Sequence, residues 1–229
     1  MNSSSSSISA AAEPEIRFFT SSPGKKIVMA ATGLLLLGFV IVHMLGNLQI
    51  YLGPEKLDAY SAMLHQAPLL LWGARVVLLA SVLLHIAAAA QLARLNRKAR
   101  PVRYYRKLNL GSTYASRTMV WSGPILFAFV IYHLLHFTTG SAHPEFRAGA
   151  VYRNIVLGFQ QTPVSIAYIA AMVMLGMHLY HGAWSMFQTA GVSHPRYSAY
   201  LRKLAALLST AIVVGNVSIP ISVMAGWVK

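Results

Sequence analysis

The charged residues of this chain leave five long stretches untouched. Positions 27–54, 76–93, 118–144, 154–195 and 204–228 contain no Asp, Glu, Lys or Arg. Each stretch can hold the roughly 17–25 apolar residues that one helix needs to cross a bilayer. Hydrocarbon offers no water to a free amide, so a single crossing segment must be helical. The expected fold is therefore an all-α integral membrane protein of five transmembrane helices, I over 27–52, II over 69–94, III over 116–139, IV over 162–188 and V over 203–227. Hydrophobic residues make up 56% of the chain, above the roughly 45–50% of an ordinary soluble domain, which fits the same class.

A net charge of +14 would suit nucleic acid, because basic clusters neutralise phosphates, but its distribution argues against such a partner. Arg94, Arg97, Lys98, Arg100, Arg103, Arg106 and Lys107 lie between helices II and III, with Arg196, Arg202 and Lys203 between IV and V and Arg17, Lys25 and Lys26 before I. The other two connections are nearly balanced, with Glu55, Lys56 and Asp58 in one and Glu145, Arg147 and Arg153 in the other. This asymmetry is the positive-inside pattern. It predicts a multi-pass protein with the N-terminus in the cytoplasm and, after five crossings, the C-terminus outside. Arg75 and Arg117, near helix starts, suit the phosphates of membrane lipids. Residues 1–22 begin Ser-rich, lack an apolar run of signal-peptide length and are expected to form a disordered cytoplasmic tail. Residues 23–229 then form one transmembrane domain. The chain has no cysteine, which excludes a disulfide, a thiolate-bound zinc and an ordinary iron–sulfur cluster.

Most prolines fall at or near the proposed helix ends, where a missing amide hydrogen costs little. Pro124 and Pro220 fall inside III and V, where they are expected to bend the helix. The connection over 140–161 is long enough to contain a short surface helix.

Histidine carries the functional signal. Of nine histidines, His43 lies in helix I, His85 in II, His133 and His136 in III, and His178 and His181 in IV. Ionisable side chains at membrane depth mark functional sites by default, although any one alone could simply bond a neighbouring helix. Their depths are more specific. His43, His85, His133 and His178 each lie about 16 or 17 residues from the start of their helix, roughly 24–26 Å. Because consecutive helices run in opposite directions, His43 and His133 share a level in the outer half of the bilayer, and His85 and His178 share one in the inner half. Paired imidazoles from different helices at one level are what a bis-histidine haem requires. His136 and His181, one turn beyond, lie on nearly the same faces, and spacing alone does not choose between neighbours. Gly33, Gly38, Gly46, Gly176 and Gly182 leave room for a flat cofactor but equally suit helix packing. His143 and His194 lie in connections and are expected to be solvated.

Four segments carry a family resemblance: TGLLLLGFVIVHMLGN in helix I, LASVLLHIAAAAQLA in II, GPILFAFVIYHLLH in III and GMHLYHGAWSMFQTAGV in IV. In this order and at this spacing, the chain after residue 22 resembles the di-haem cytochrome b (b558-type) membrane-anchor subunits of bacterial succinate dehydrogenases and menaquinol-fumarate reductases. The resemblance implies two haems b, with His43 and His133 on the iron of a distal haem and His85 and His178 on that of a proximal one. It selects His133 through FVIYH, and His178 because HGAWS follows three residues later. It also implies a flavoprotein subunit and an iron–sulfur subunit on the cytoplasmic side of a bacterial inner membrane, and electron exchange with a quinone, menaquinone by family, near the outer face. Arg117 is then a candidate for a haem propionate, and the basic loop 94–107 for the docking surface. Where some members have a glutamate near the quinone, this chain has His65, a candidate for quinone hydrogen bonding. A second family glutamate is replaced by Gly176, and no carboxylate lies in any span.

Two other functions remain compatible with the residues. The cytochrome b subunit of a hydrogenase or formate dehydrogenase would keep the haems and change the electron donor. A proton-coupled transporter would use the histidines without haem.

Overall fold

The computed structural model describes residues 21–99 and 114–229. Its helices are α1 (Ser22–Asn47, continued by a 3-10 turn over Leu48–Leu52), α2 (Pro54–His65), α3 (Pro68–Lys98), α4 (Tyr114–His133, continued by a π-turn over Leu134–Thr138), α5 (Val151–Gln160), α6 (Thr162–Thr189) and α7 (Ser198–Met224). Among the described residues there is no strand. Five helices, α1, α3, α4, α6 and α7, are long and apolar enough to cross a membrane. The protein is an all-α membrane protein with the five spans expected.

The ends differ from expectation for local reasons. Helix α1 begins at Ser22, before the apolar run, because Ser21 Oγ accepts from Gly24 N at 3.1 Å and Pro23 supplies the first turn. At its far end the chain turns at Gly53, whose φ of 96° suits a residue without Cβ, and Pro54 opens α2. Helix α3 runs to Lys98, about 47 Å in all at 1.5 Å per residue, so its basic last turns extend beyond a hydrocarbon core of about 30 Å. The remaining residues of the basic connection, Arg100, Arg103, Arg106 and Lys107, lie outside the described residues, as does nearly all of the 1–22 tail. The short helix anticipated in 140–161 is α5; α2 was not anticipated.

Helices α2 and α5 cover one end of the bundle, here called the cap end. The larger apolar core is there: Ile50, Leu57, Ile155, Val156, Phe159, Tyr168, Ile219, Val223 and Val228. Polar ties reinforce it, with Tyr51 Oη donating to Ser218 Oγ at 2.9 Å and Asp58 Oδ1 accepting from Tyr152 N at 2.9 Å. A second cluster of Leu37, Met44 and Ile212 joins α1 to α7 within the spans, with Leu175 and Leu179 of α6 beside it. Between spans in lipid, attraction comes from close packing rather than from water exclusion. Small residues allow that approach: a Cβ at Gly215 of α7 would lie 2.5 Å from Met44 Sδ, and one at Gly176 of α6 would collide with Val213 of α7.

Four spans form an open ring. Helix α3 packs on α1, α1 on α6 and α6 on α4, while among the described residues α3 and α4 make no substantial contact. Helix α7 lies outside the ring against α6 and α1. The spans are thus a four-helix core with a fifth helix beside it.

Candidate haem sites

The diagonals of the ring are α1 to α4 and α3 to α6, and each is bridged by two imidazoles. His43 and His133 face each other near the cap end, with ring centres 5.8 Å apart and planes at 86°. His85 and His178 face each other near the opposite, basic end, with ring centres 6.3 Å apart and planes at 54°. The helices of each pair do not pack together, so the side chains meet across the middle of the bundle. His136 and His181 make no ring contact with His43 or His85 among the described residues, so geometry favours His133 and His178 within each neighbouring pair.

These separations can be compared with what a haem needs. An imidazole–metal bond of about 2 Å plus about 1 Å from nitrogen to ring centre, taken on both sides of one iron, separates the ring centres by about 6 Å. Both pairs meet that value. Two planes that share an axis through the metal can be rotated by any angle about it, so neither 86° nor 54° is an obstacle. A Cβ at Gly38, Gly123 or Gly182 would meet nothing within 4 Å.

The levels agree along three helices. Helix α1 contributes His43 to one pair and, eleven residues earlier, Thr32 to the other, where Thr32 Oγ1 lies 3.1 Å from His85 Nδ1. Helix α4 repeats this offset, with His133 in one pair and Ser122 Oγ 3.2 Å from His178 Nδ1. Eleven residues make about three turns, so hydroxyl and imidazole share a helix face, about 16 Å apart. In α6, Tyr168 serves the first pair and His178 the second, ten residues or about 15 Å apart.

The hydroxyls also bear on which nitrogen is free. Thr32 donates its one hydrogen to Val28 O at 2.7 Å, with Met29 O at 3.2 Å, so toward His85 it can only accept. His85 therefore donates from Nδ1 and keeps its lone pair on Nε2, the atom that would meet a metal. Ser122 Oγ lies 3.2 Å from His178 Nδ1 and 3.9 Å from Met119 Sδ, so a hydrogen on His178 Nδ1 would be met by an acceptor in the same way. Metal-bound histidines usually have such a partner on the second nitrogen. His43 differs: Asn47 Nδ2 lies 3.1 Å from its Nε2, a contact that a metal at Nε2 would displace. Gly33 lets α1 come close to His85, since a Cβ there would lie 3.3 Å from His85 Cε1.

The remaining candidates fall elsewhere. His65 is exposed at the end of α2, with Nδ1 2.8 Å from Ser61 O, and among the described residues it shares no hydrogen bond or ring contact with His43 or His133. Arg117 is exposed at the start of α4, its guanidinium 5.8 Å from the Tyr114 ring centre. His194 is exposed, as expected, and stacks on Tyr197. The expectation of a solvated His143 is overturned, because it is 6% exposed. Its Nε2 donates to Asn154 O at 3.0 Å, its Nδ1 accepts from Glu145 N at 3.2 Å, and its ring stacks on His136 with centres 4.9 Å apart. The close packing of Val213 against Gly176 leaves no room there for a carboxylate side chain.

Sequence reading missed Thr32, Ser122 and Tyr168. The shared eleven-residue offset from Thr32 to His43 and from Ser122 to His133 was the available signal. Comparison of the chain with protein-family models, curated proteins and solved structures found no match.

Proposed function

We propose that the chain is the membrane-anchor cytochrome b subunit of a succinate:quinone oxidoreductase, passing electrons between an iron–sulfur subunit and a quinone through two bis-histidine haems b. The observation that carries this reading is the pair of histidine couples on the two ring diagonals, each at haem-ligating separation and about 15–16 Å apart in level. His43 and His133 would hold the distal group, and His85 and His178 the proximal one. When bound, haem b takes up and releases single electrons. The chain itself brings imidazoles together from opposite sides, holds three of the four rings through Nδ1, and surrounds both levels with apolar spans.

On this reading the membrane is a bacterial inner membrane, and the positive-inside bias supports a cytoplasmic basic end. A recess lined by Lys25, Gln91, Arg94, Arg97 and Lys98 lies at that end, where the flavoprotein and iron–sulfur partners would dock. The distal pair near the cap end then suits exchange with menaquinone at the outer side.

The test is a reduced-minus-oxidised spectrum of the purified membrane chain with a haem count per polypeptide. A b-type spectrum with about two haems per chain is expected, together with co-purification of a flavoprotein and an iron–sulfur protein. A folded chain without haem, from haem-replete cells, would refute the reading; two haems with a hydrogenase or formate dehydrogenase as partner would refute only the choice of donor.

A further inference from the structure

The cap-end pair has a support that the other pair lacks. Tyr168 Oη lies 3.4 Å from His133 Nδ1 and 3.1 Å from His136 Nδ1. Tyr168 and His136 are 6% and 1% exposed, so water does not substitute for either contact. The π-turn helps place His136 at the end of α4; Thr139 N donates to Leu134 O, five residues back, at 2.9 Å. Such turns are frequent at functional sites. Gly158 of α5 brings the cap against the same ring, where a Cβ would lie 2.9 Å from His136 Cε1.

A phenol has one hydrogen and here faces two imidazole nitrogens. If His133 is to keep its Nε2 lone pair for a metal, its Nδ1 must donate to Tyr168 Oη. The phenol hydrogen then goes to His136 Nδ1 over the shorter contact. The bonds run in one direction, from His133 to Tyr168 to His136, and each polarises the next. At the end of the row, His143 has both nitrogens committed to backbone groups, Asn154 O and Glu145 N, so it holds the His136 ring by stacking. His85 and His178 instead end on the aliphatic hydroxyls of Thr32 and Ser122, neither of which is followed by a further imidazole.

Resting on the haem reading above, we propose that Tyr168 is a positioning residue for His133, and that through Tyr168 the buried His136 sets the reduction potential of the haem at the cap end alone. A donated Nδ1 hydrogen increases the electron density that an imidazole offers at Nε2. That favours the oxidised metal, so cutting the chain raises the potential.

The experiment is a redox titration of the haem-loaded protein, followed by the optical and electron-spin signals of the two haems. Tyr168→Phe removes one oxygen and keeps the ring. It is expected to shift the oxidised-to-reduced ratio of the cap-end haem about tenfold toward reduced at fixed potential, or 59 mV upward for a one-electron couple, with the other haem unmoved. His136→Leu keeps the Tyr168–His133 contact and is expected to move the same haem in the same direction by less; it decides the matter if Tyr168→Phe loses that haem. Thr32→Val should move only the other haem. Equal shifts of both haems in Tyr168→Phe, or no shift in it or in His136→Leu, would overturn the proposal while leaving the haem reading intact. Absence of haem from the unaltered protein would remove both.

Discussion

The pairing of histidines on ring diagonals makes a counting prediction that separates shared from separate ligation. The ring centres within a pair are 5.8 and 6.3 Å apart, close to the about 6 Å that one metal between two imidazoles requires. Between levels the separation is about 15–16 Å, too long by about 9 Å for a shared metal. Each single substitution, His85→Ala or His178→Ala, should therefore leave one low-spin haem of two. The double variant His85→Ala/His178→Ala should still leave one, because the second change removes a ligand from a site already lost. The crosswise variant His85→Ala/His133→Ala should leave none. The first double is strongly non-additive and the second additive, as expected for residues within and between independent units. The assay is a haem count on detergent-purified protein, with electron-spin resonance to separate low-spin haem from any five-coordinate remnant. One low-spin haem in the crosswise variant, or none in the within-pair variant, would refute the pairing.

Three further variants probe the frame that holds the pairs. Gly176→Glu puts a side chain where Val213 already lies and should lower stability by about 1–3 kcal/mol or more; an unchanged melting temperature in detergent would contradict the close packing of α6 on α7. Ile212→Ala removes a side chain only 1% exposed between α1 and α7 and should cost about 2–5 kcal/mol, read from the same melting curve, with a smaller loss meaning that the seam collapses around the cavity. Asn154→Ala deletes two bonds to the Arg147 backbone, at 3.0 and 2.7 Å, and should cost about 1–3 kcal/mol; faster hydrogen exchange over residues 140–150 is the expected sign, and unaltered exchange would show that the loop does not depend on this side chain.

The spans were legible because charge is excluded from hydrocarbon, and the levels of His43, His85, His133 and His178 were legible because helical rise converts sequence into depth. The cap was less so. The segment PEKLDAYSAMLH carries three charges and a single fully buried apolar residue, Leu57, so nothing local marks α2 as a structural element; its burial depends on α5, nearly a hundred residues away. His143 looked solvated because its connection is polar. Its burial comes from a turn at Gly140, where a φ of 75° brings the backbone close beneath Phe146, and from backbone partners that no side-chain pattern reveals. Hydroxyl partners lay between these extremes. Thr32 and Ser122 were visible as polar residues on the histidine-bearing faces, but Tyr168 required the packing of α6 against the π-turn.

The two ends of the molecule also differ in mechanical character. At the cap, bulky interlocked side chains and cross-ties from Tyr51 and Asp58 join the helices like fingers at a knuckle. Toward the basic end the buried positions are mostly small, among them Thr32, Ala88, Ser122 and Ala205, and among the described residues α3 and α4 make no substantial contact. Small side chains slide past one another more easily than interdigitated ones. Splaying of the spans is therefore resisted at one membrane face and compliant at the other, and the compliant tips are the ones that carry the positive charge.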